Sequence, residues 1–257
     1  MKKATIQAVY DWIDGIAPFL GQEEFDNAGL QVGRPDNPVA GILLALDTTP
    51  DVIAEARERG CDLIISHHPL VFMPLLSLRQ DYYVPRVLSL LIQGGIGLIA
   101  AHTNLDKSAY SGSMAVMKRL NMQNIRRADD YTLVGDLPRA IPMGEVQVLI
   151  SLSLKSAVLR YGDAGKEIST LAVAGGAYSE GFQAARAAGA EAFLTGEVRH
   201  HHAVEAADTG IALFEAGHFA TEQPMMEELA QGLQSGLNAL NYNVQVYVSR
   251  QIPYLRE

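Results

Sequence analysis

The chain predicts an α/β fold of two similar lobes, each a helix-covered sheet, mixed or mostly parallel, and the pair derived from an internal duplication. The first observation is alternation. Strand, helix, strand, helix, strand run through residues 41–100, and the same order returns over 171–214. The second is register. The helix–Gly–strand stretch 55–66 aligns with 184–195 without a gap at an offset of 129 residues, and Ile42-Leu43-Leu44-Ala45 falls on Leu171-Ala172-Val173-Ala174 at that offset. The third is the next strand, where Gly95-Ile96-Gly97-Leu98-Ile99 resembles Gly210-Ile211-Ala212-Leu213-Phe214 after a different spacing. The expected lobes are residues 1–127 and 128–257.

Taken in order, apolar side chains at Ile6, Val9, Ile13, Ile16 and Phe19-Leu20 keep helical spacing, with Trp12 at the helix edge. Residues 23–33 predict a glycine-punctuated loop with acids in it. Residues 41–46 form a short apolar strand. Asp47-Thr48-Thr49-Pro50 then supplies capping oxygens and a proline for a helix start, and Gly60 a stop. Leu63-Ile64-Ile65 is the next strand. Residues 70–83 are loop, 84–93 an amphipathic helix stopped by Gly94-Gly95, and 96–100 a third strand. In mid-chain, 114–120 predicts a helix and the alternation over 146–154 a strand. The second copy follows with strand 171–174, turn 175–177, helix 179–188, Gly189 as stop and strand 192–194. Met225, Met226 and Leu229 keep helical spacing after Pro224 and belong to the core.

Composition bounds the function. The formal net charge of -9 argues against a nucleic-acid binder, because phosphate recognition needs a basic face. Cys61 is the only cysteine, which excludes an internal disulfide and a zinc–thiolate cluster within one chain; beside an apolar strand it is a small core residue. Met1-Lys2-Lys3 leads into mixed sequence and not an apolar signal core, and no apolar run approaches the ~18 residues of a membrane span. The expected location is the cytoplasm.

The chemistry concentrates at strand ends, where α/β sheets bind ligands. Ser66-His67-His68-Pro69 follows the strand at 63–65, and neutral imidazole is the commonest metal ligand. The repeated third strand is followed in each half by a histidine and, four residues later, an acid: His102 with Asp106, and His218 with Glu222. His67, His68, His102, Asp106, His218 and Glu222 are therefore the candidate metal ligands. Imidazoles with carboxylates suit Zn, Mn, Fe, Ni or Co, and the number is enough for two divalent ions. Gly196-Glu197 replaces His67-His68 in the duplicated register, so the second copy does not rebuild the His pair. Glu197 and His201, in the run Arg199-His200-His201-His202, are the candidate acid–base or substrate-contacting groups; a solvated helix start is the alternative. There is no G-x-x-x-x-G-K-[ST] phosphate loop and no G-x-S-x-G elbow.

The successive stretches Asn27-Ala28-Gly29-Leu30-Gln31-Val32-Gly33, residues 60–69, Ala101-His102-Thr103-Asn104-Leu105-Asp106, Leu194-Thr195-Gly196-Glu197 and residues 215–222 resemble the motifs of the Nif-three-like family, whose bacterial members are usually named GTP cyclohydrolase 1 type 2 homologues. The resemblance covers nearly the whole chain. It implies a two-lobed α/β fold, a dinuclear metal centre between the lobes, and a ring-shaped homohexamer. It places the ligands on His67, His68, Asp106, His218 and Glu222, with His102 a further one and His201 near the site. Departures are Glu191, where the family often has aspartate, and the bulk of His200 and His202, which bears on the cavity. The chain is too short for the inserted domain of longer members.

Two functions fit. One is a metal-dependent hydrolase acting on a small molecule, by nucleotide ring opening of the GTP cyclohydrolase type or on a phosphoester. The other is a non-catalytic metal-binding scaffold or regulatory protein.

Overall fold

The computed structural model describes residues 2–254. The chain forms two compact units. One comprises residues 1–108 with 226–257, the other 109–225.

The first unit begins with β1 (Ala4–Thr5) and α1 (Ile6–Ile16), where Thr5 Oγ1 accepts from Ala8 N–H and caps the helix. Next come β2 (Gly29–Val32), β3 (Pro38–Val39), β4 (Gly41–Ala45), α2 (Pro50–Glu58), β5 (Leu63–Ser66), α3 (Tyr83–Gly94), β6 (Gly97–Ala100) and the single turn α4 (Thr103–Asp106). The second unit holds α5 (Gly112–Arg119), β7 (Gln123–Arg127), β8 (Leu133–Pro142), α6 (Met143–Leu154), β9 (Leu159–Tyr161), β10 (Glu167–Val173), α7 (Phe182–Ala187), β11 (Ala192–Thr195), α8 (His200–Thr209) and β12 (Ala212–Glu215). The long helix α9 (His218–Ala239) and the strand β13 (Gln245–Val248) complete the chain.

The first unit's main sheet has the order β13-β4-β5-β6-β2 and the second unit's β7-β8-β10-β11-β12-β9. The first has four adjacent parallel strands, β13-β4-β5-β6, and the second three, β10-β11-β12, each closed on one side by an antiparallel edge, β2 on β6 and β9 on β12. The registers repeat residue for residue. Ile42, Leu43 and Leu44 pair with Leu63, Ile64 and Ile65, as Leu171, Ala172 and Val173 pair with Ala192, Phe193 and Leu194. Gly97 to Ala100 and Ala212 to Glu215 take the same place on the third strand. The duplication extends to side chains. Asp62 Oδ2 accepts from the N–H groups of Ala40 and Gly41, and Glu191 Oε2 from those of Ser169 and Thr170. Glu191 thus does for its unit what Asp62 does for the other.

Alternation explains the layers. Leu43, Ile64 and Leu98 face Val52, Ile53 and Ala56 of α2 and Val87 and Leu91 of α3. Ala172, Phe193 and Leu213 take the matching face, under Phe182 and Ala185 of α7 and Ala206 of α8. On the opposite face Leu171, Val173, Leu194 and Phe214 pack with α5 and α6. In the first unit, α1 covers its opposite face: a β-carbon at Gly97 would sit 2.6 Å from Ile6 Cδ1 and 3.2 Å from Leu63 Cδ1. Trp12 of α1 lies on Gly236 of α9. Met225, Met226 and Leu229 are fully buried, as their spacing predicts. Cys61 is buried too, and burial pushes its thiol up to about 11, which makes it a core residue and not a nucleophile.

Three expectations are corrected. Residues 146–154 are helical, not a strand: Val146, Ile150 and Leu154 are buried at every fourth position, while Val148 and Leu152 are exposed. The stretch 23–33 is not loop throughout, since residues 29–32 pair with β6 across a register shift. The units also divide elsewhere than at 127/128. Residues 123–127 add to the second sheet through β8, and β13 returns to the first sheet beside β4. Among the described residues, no helix is long and apolar enough to cross a membrane.

Candidate metal site

In the first unit the ladder runs on past β5. His67 N–H donates to Ala45 O (3.1 Å) and His68 N–H to Leu46 O (2.9 Å), while Ser66 Oγ donates to His68 O (2.8 Å). Both imidazoles therefore stand on fixed backbone. β6 delivers His102 beside them, at the N-terminal edge of α4. The ring centroids are 5.0 Å (67 to 68), 5.1 Å (67 to 102) and 5.8 Å (68 to 102) apart. One donor atom from each lies within 4.8 Å of the other two.

Each ring is held by the same nitrogen. His67 Nδ1 is 2.9 Å from Ala101 O, His68 Nδ1 is 2.9 Å from Asp47 Oδ1, and His102 Nδ1 is 2.9 Å from Asp26 Oδ1. A carbonyl or an ionised carboxylate only accepts, so the hydrogen belongs on Nδ1, and the neutral ring offers Nε2 as its ligand atom. Asp106 Oδ2 lies 3.7 Å from His67 Nε2, which puts a carboxylate next to the buried imidazole. Asp26 is itself tightly held. Burial pushes its carboxyl up, but the bonds from His102 Nδ1, Thr103 N–H and Thr103 Oγ1 outweigh burial and hold it well below the usual carboxylate range.

In the second unit, His218 opens α9 and Glu222 follows one turn later, on the same helix face. His218 Nε2 is 3.0 Å from Glu222 Oε2, and His218 Nδ1 is 2.8 Å from Glu197 Oε1. Glu197 therefore takes the place that Asp26 and Asp47 take in the first unit. Space is made by glycine. A β-carbon at Gly176, whose φ is +66°, would lie 2.1 Å from Glu222 Oε1. At Gly196 it would lie 2.5 Å from Gly176 O and 2.8 Å from His218 Cα. Gly196 is the register mate of His67, so the second copy cannot carry a histidine there: the backbone of His218 fills the room.

The histidine cluster at 200–202 divides. His202 is buried, with Nδ1 2.7 Å from Ser179 Oγ and its ring against Phe182, so it packs within the second unit. His200 and His201 are exposed on the first turn of α8, the ring of His201 lying 4.1 Å from that of His202. Among the described residues His201 belongs to no group of three metal-competent donors.

The donor chemistry in each unit, imidazole nitrogen with carboxylate oxygen, suits a borderline divalent cation. Asp26 and Asp47 were not singled out as site residues from the sequence. Asp47 reads there as a helix cap, but Thr49 does the capping, accepting from Val52 N–H, and Asp47 turns to His68. The signal for Asp47 was its position directly after a strand, like that of His67.

Comparison with known proteins gives the family and the fold. Residues 4–253 match the Duf34/NIF3 (NGG1p interacting factor 3) family. A GTP cyclohydrolase 1 type 2 homolog of Clostridium acetobutylicum is 32% identical over 249 residues, covering 93% of this chain and 92% of that one. The GTP cyclohydrolase 1 type 2 of Helicobacter pylori is 31% identical, covering 90% and 93%. Among solved structures, a Staphylococcus aureus hypothetical protein superposes with a TM-score of 0.93 at 27% identity, over 100% of both chains. A Bacillus cereus protein related to NIF3 does so with 0.95 at 19%, again over 100% of both.

Proposed function

The chain belongs to the Duf34/NIF3 family, and on that premise we propose that it is a divalent-metal protein of hydrolase type acting on a small molecule. The observation that carries this reading is the trio His67, His68 and His102, each fixed through Nδ1 so that its other nitrogen is offered to a cation. His67, His68, His102 and Asp106 would hold metal from the first unit, and His218 and Glu222 from the second. We propose that both sets serve one dinuclear centre. A bound pair of divalent ions supplies Lewis-acid polarisation of an oxygen and a water that is nucleophilic at neutral pH.

The chain's own residues do the rest. Asp26, Asp47 and Glu197 orient the ligating rings. His201, an exposed imidazole, is the group assigned to move protons at the leaving atom. Ring opening of a nucleotide is the substrate chemistry suggested by the relatives' names, and a phosphoester is equally served by such a site. The protein is proposed to work in the cytoplasm as a homohexamer.

Protein purified without chelators is expected to carry close to two metal ions per chain and a native mass six times that of one chain. The double variant His67→Ala/Glu222→Ala is expected to lose both metal and turnover in a screen of GTP, cyclic nucleotides and phosphoesters with added Mn or Zn. Absence of metal overturns the reading. Metal without turnover converts it to the scaffold function.

A further inference from the structure

We infer that Phe25 and Phe72 form an aromatic platform that stacks the planar heterocycle of a ligand beside the histidine trio, which makes the ligand a nucleotide-like heteroaromatic and not a simple phosphoester. This rests on the metal reading and narrows its substrate class.

The two rings come from different loops and meet in the open. Their centroids are 6.4 Å apart at 56°, and 65% of Phe25 and 42% of Phe72 is exposed. Folding normally hides such rings, and two of them side by side outside the core call for a reason. They are also held in place. Asn27 Nδ2 donates to Val71 O (2.5 Å), Gln31 Nε2 donates to the same oxygen (3.1 Å), and Val71 N–H donates to Gln31 Oε1 (3.1 Å). Each ring thus adjoins a pinned residue, Phe25 next to Asp26 and Phe72 next to Val71. The loops that carry the rings are thus ordered by the fold, and a ligand does not have to order them.

The platform is continuous with the donors. The Phe72 ring stands edge-on to the His102 ring, 6.2 Å away at 83°. Asp26, in the same loop as Phe25, is the carboxylate that holds His102 Nδ1. A flat ligand stacked on one of the two tilted rings, with the other ring against its edge, would lie beside the imidazole trio. A surface that is apolar on its faces and bordered by the imidazoles and the cation they would hold matches a heteroaromatic ring with polar edge atoms. Neither phenylalanine carries charge or a hydrogen-bonding atom, so the pair has nothing to offer a bare phosphate.

Calorimetry on the metal-loaded full chain tests this with adenosine 5′-monophosphate and ribose 5-phosphate. The monophosphate is expected to bind at least about tenfold more tightly, as stacking one base on an aromatic side chain provides. Phe25→Ala and Phe72→Ala should each remove most of that gap while leaving ribose 5-phosphate binding and metal content unchanged, and Phe72→Tyr should keep it. Equal affinities for the two probes, or alanine variants that bind the nucleotide like the parent, overturn the platform. Alanine variants with unchanged nucleotide binding but a smaller native mass overturn it in favour of a contact between copies. Metal content on the same samples separates the two readings. A base preference in protein that binds no metal sinks the metal reading alone, and full metal without a base preference sinks the platform alone.

Discussion

His68 Nδ1 and Asp47 Oδ1 are 2.9 Å apart, and this one bond decides which nitrogen of His68 faces the site. Asp47 stands at the end of β4 and His68 at the end of β5, so the pairing is a product of the parallel register between neighbouring strands. Metal-ligating imidazoles held by a carboxylate in this way typically lose ~10–100-fold in metal affinity when the partner is removed. Asp47→Ala is therefore expected to weaken Zn or Mn binding by that factor, read by competition with a chelator. Asp47→Asn, which keeps an accepting oxygen, should lose less.

Gly176 and Gly189 separate space from strain. Both have positive φ, but a β-carbon at Gly189 meets nothing within 4 Å, whereas one at Gly176 meets Glu222. Gly189→Ala should cost about 1–2 kcal/mol of stability and leave metal content alone. Gly176→Ala should displace the Glu222 carboxylate and lower metal occupancy, measured by elemental analysis on folded protein. Equal metal in the two variants would remove Glu222 from the ligand set.

Glu55 gives a pH signature away from the site. Burial raises its carboxyl, but bonds from Ser249 Oγ, the Arg250 N–H and Arg59 outweigh burial, and the net shift is downward. A depressed folded-state value contributes stability above the ordinary Glu value of about 4.3, and that stability is lost as pH falls through the folded value. Urea unfolding should show Glu55→Gln less stable than the parent by about 1–3 kcal/mol at neutral pH. The difference should shrink as pH falls below about 4. A difference that does not change with pH would mean that the charge on Glu55 contributes nothing.

Asp62 and Glu191 predict matched losses. Asp62→Ala strips the acceptor from the N–H groups of Ala40 and Gly41, and Glu191→Ala from those of Ser169 and Thr170. Each should cost about 1–3 kcal/mol. Hydrogen exchange should speed up at the named pair of amides in each variant and not at the other pair.

The sequence by itself determined the repeated strands, their helices and which imidazoles stand at strand ends as candidate ligands. These are local features: an apolar run, a glycine stop at Gly60 or Gly189, a histidine at a strand end. At the gapless offset of 129 residues the pairing of Leu43 with Ile64 recurs as that of Ala172 with Phe193. Tertiary structure decided what local pattern leaves open. The run 146–154 alternates, yet it is a helix because its burial falls on every fourth residue. Asp26 orients His102 from 76 residues away, and no spacing in the chain announces a bond across that distance. Gly196 stands where its register mate is His67 because the His218 backbone occupies the space a side chain would need. Periodicity and punctuation are set by neighbours in the chain, whereas ring orientation, room and the carboxylates that hold the imidazoles are set by residues that only folding brings together.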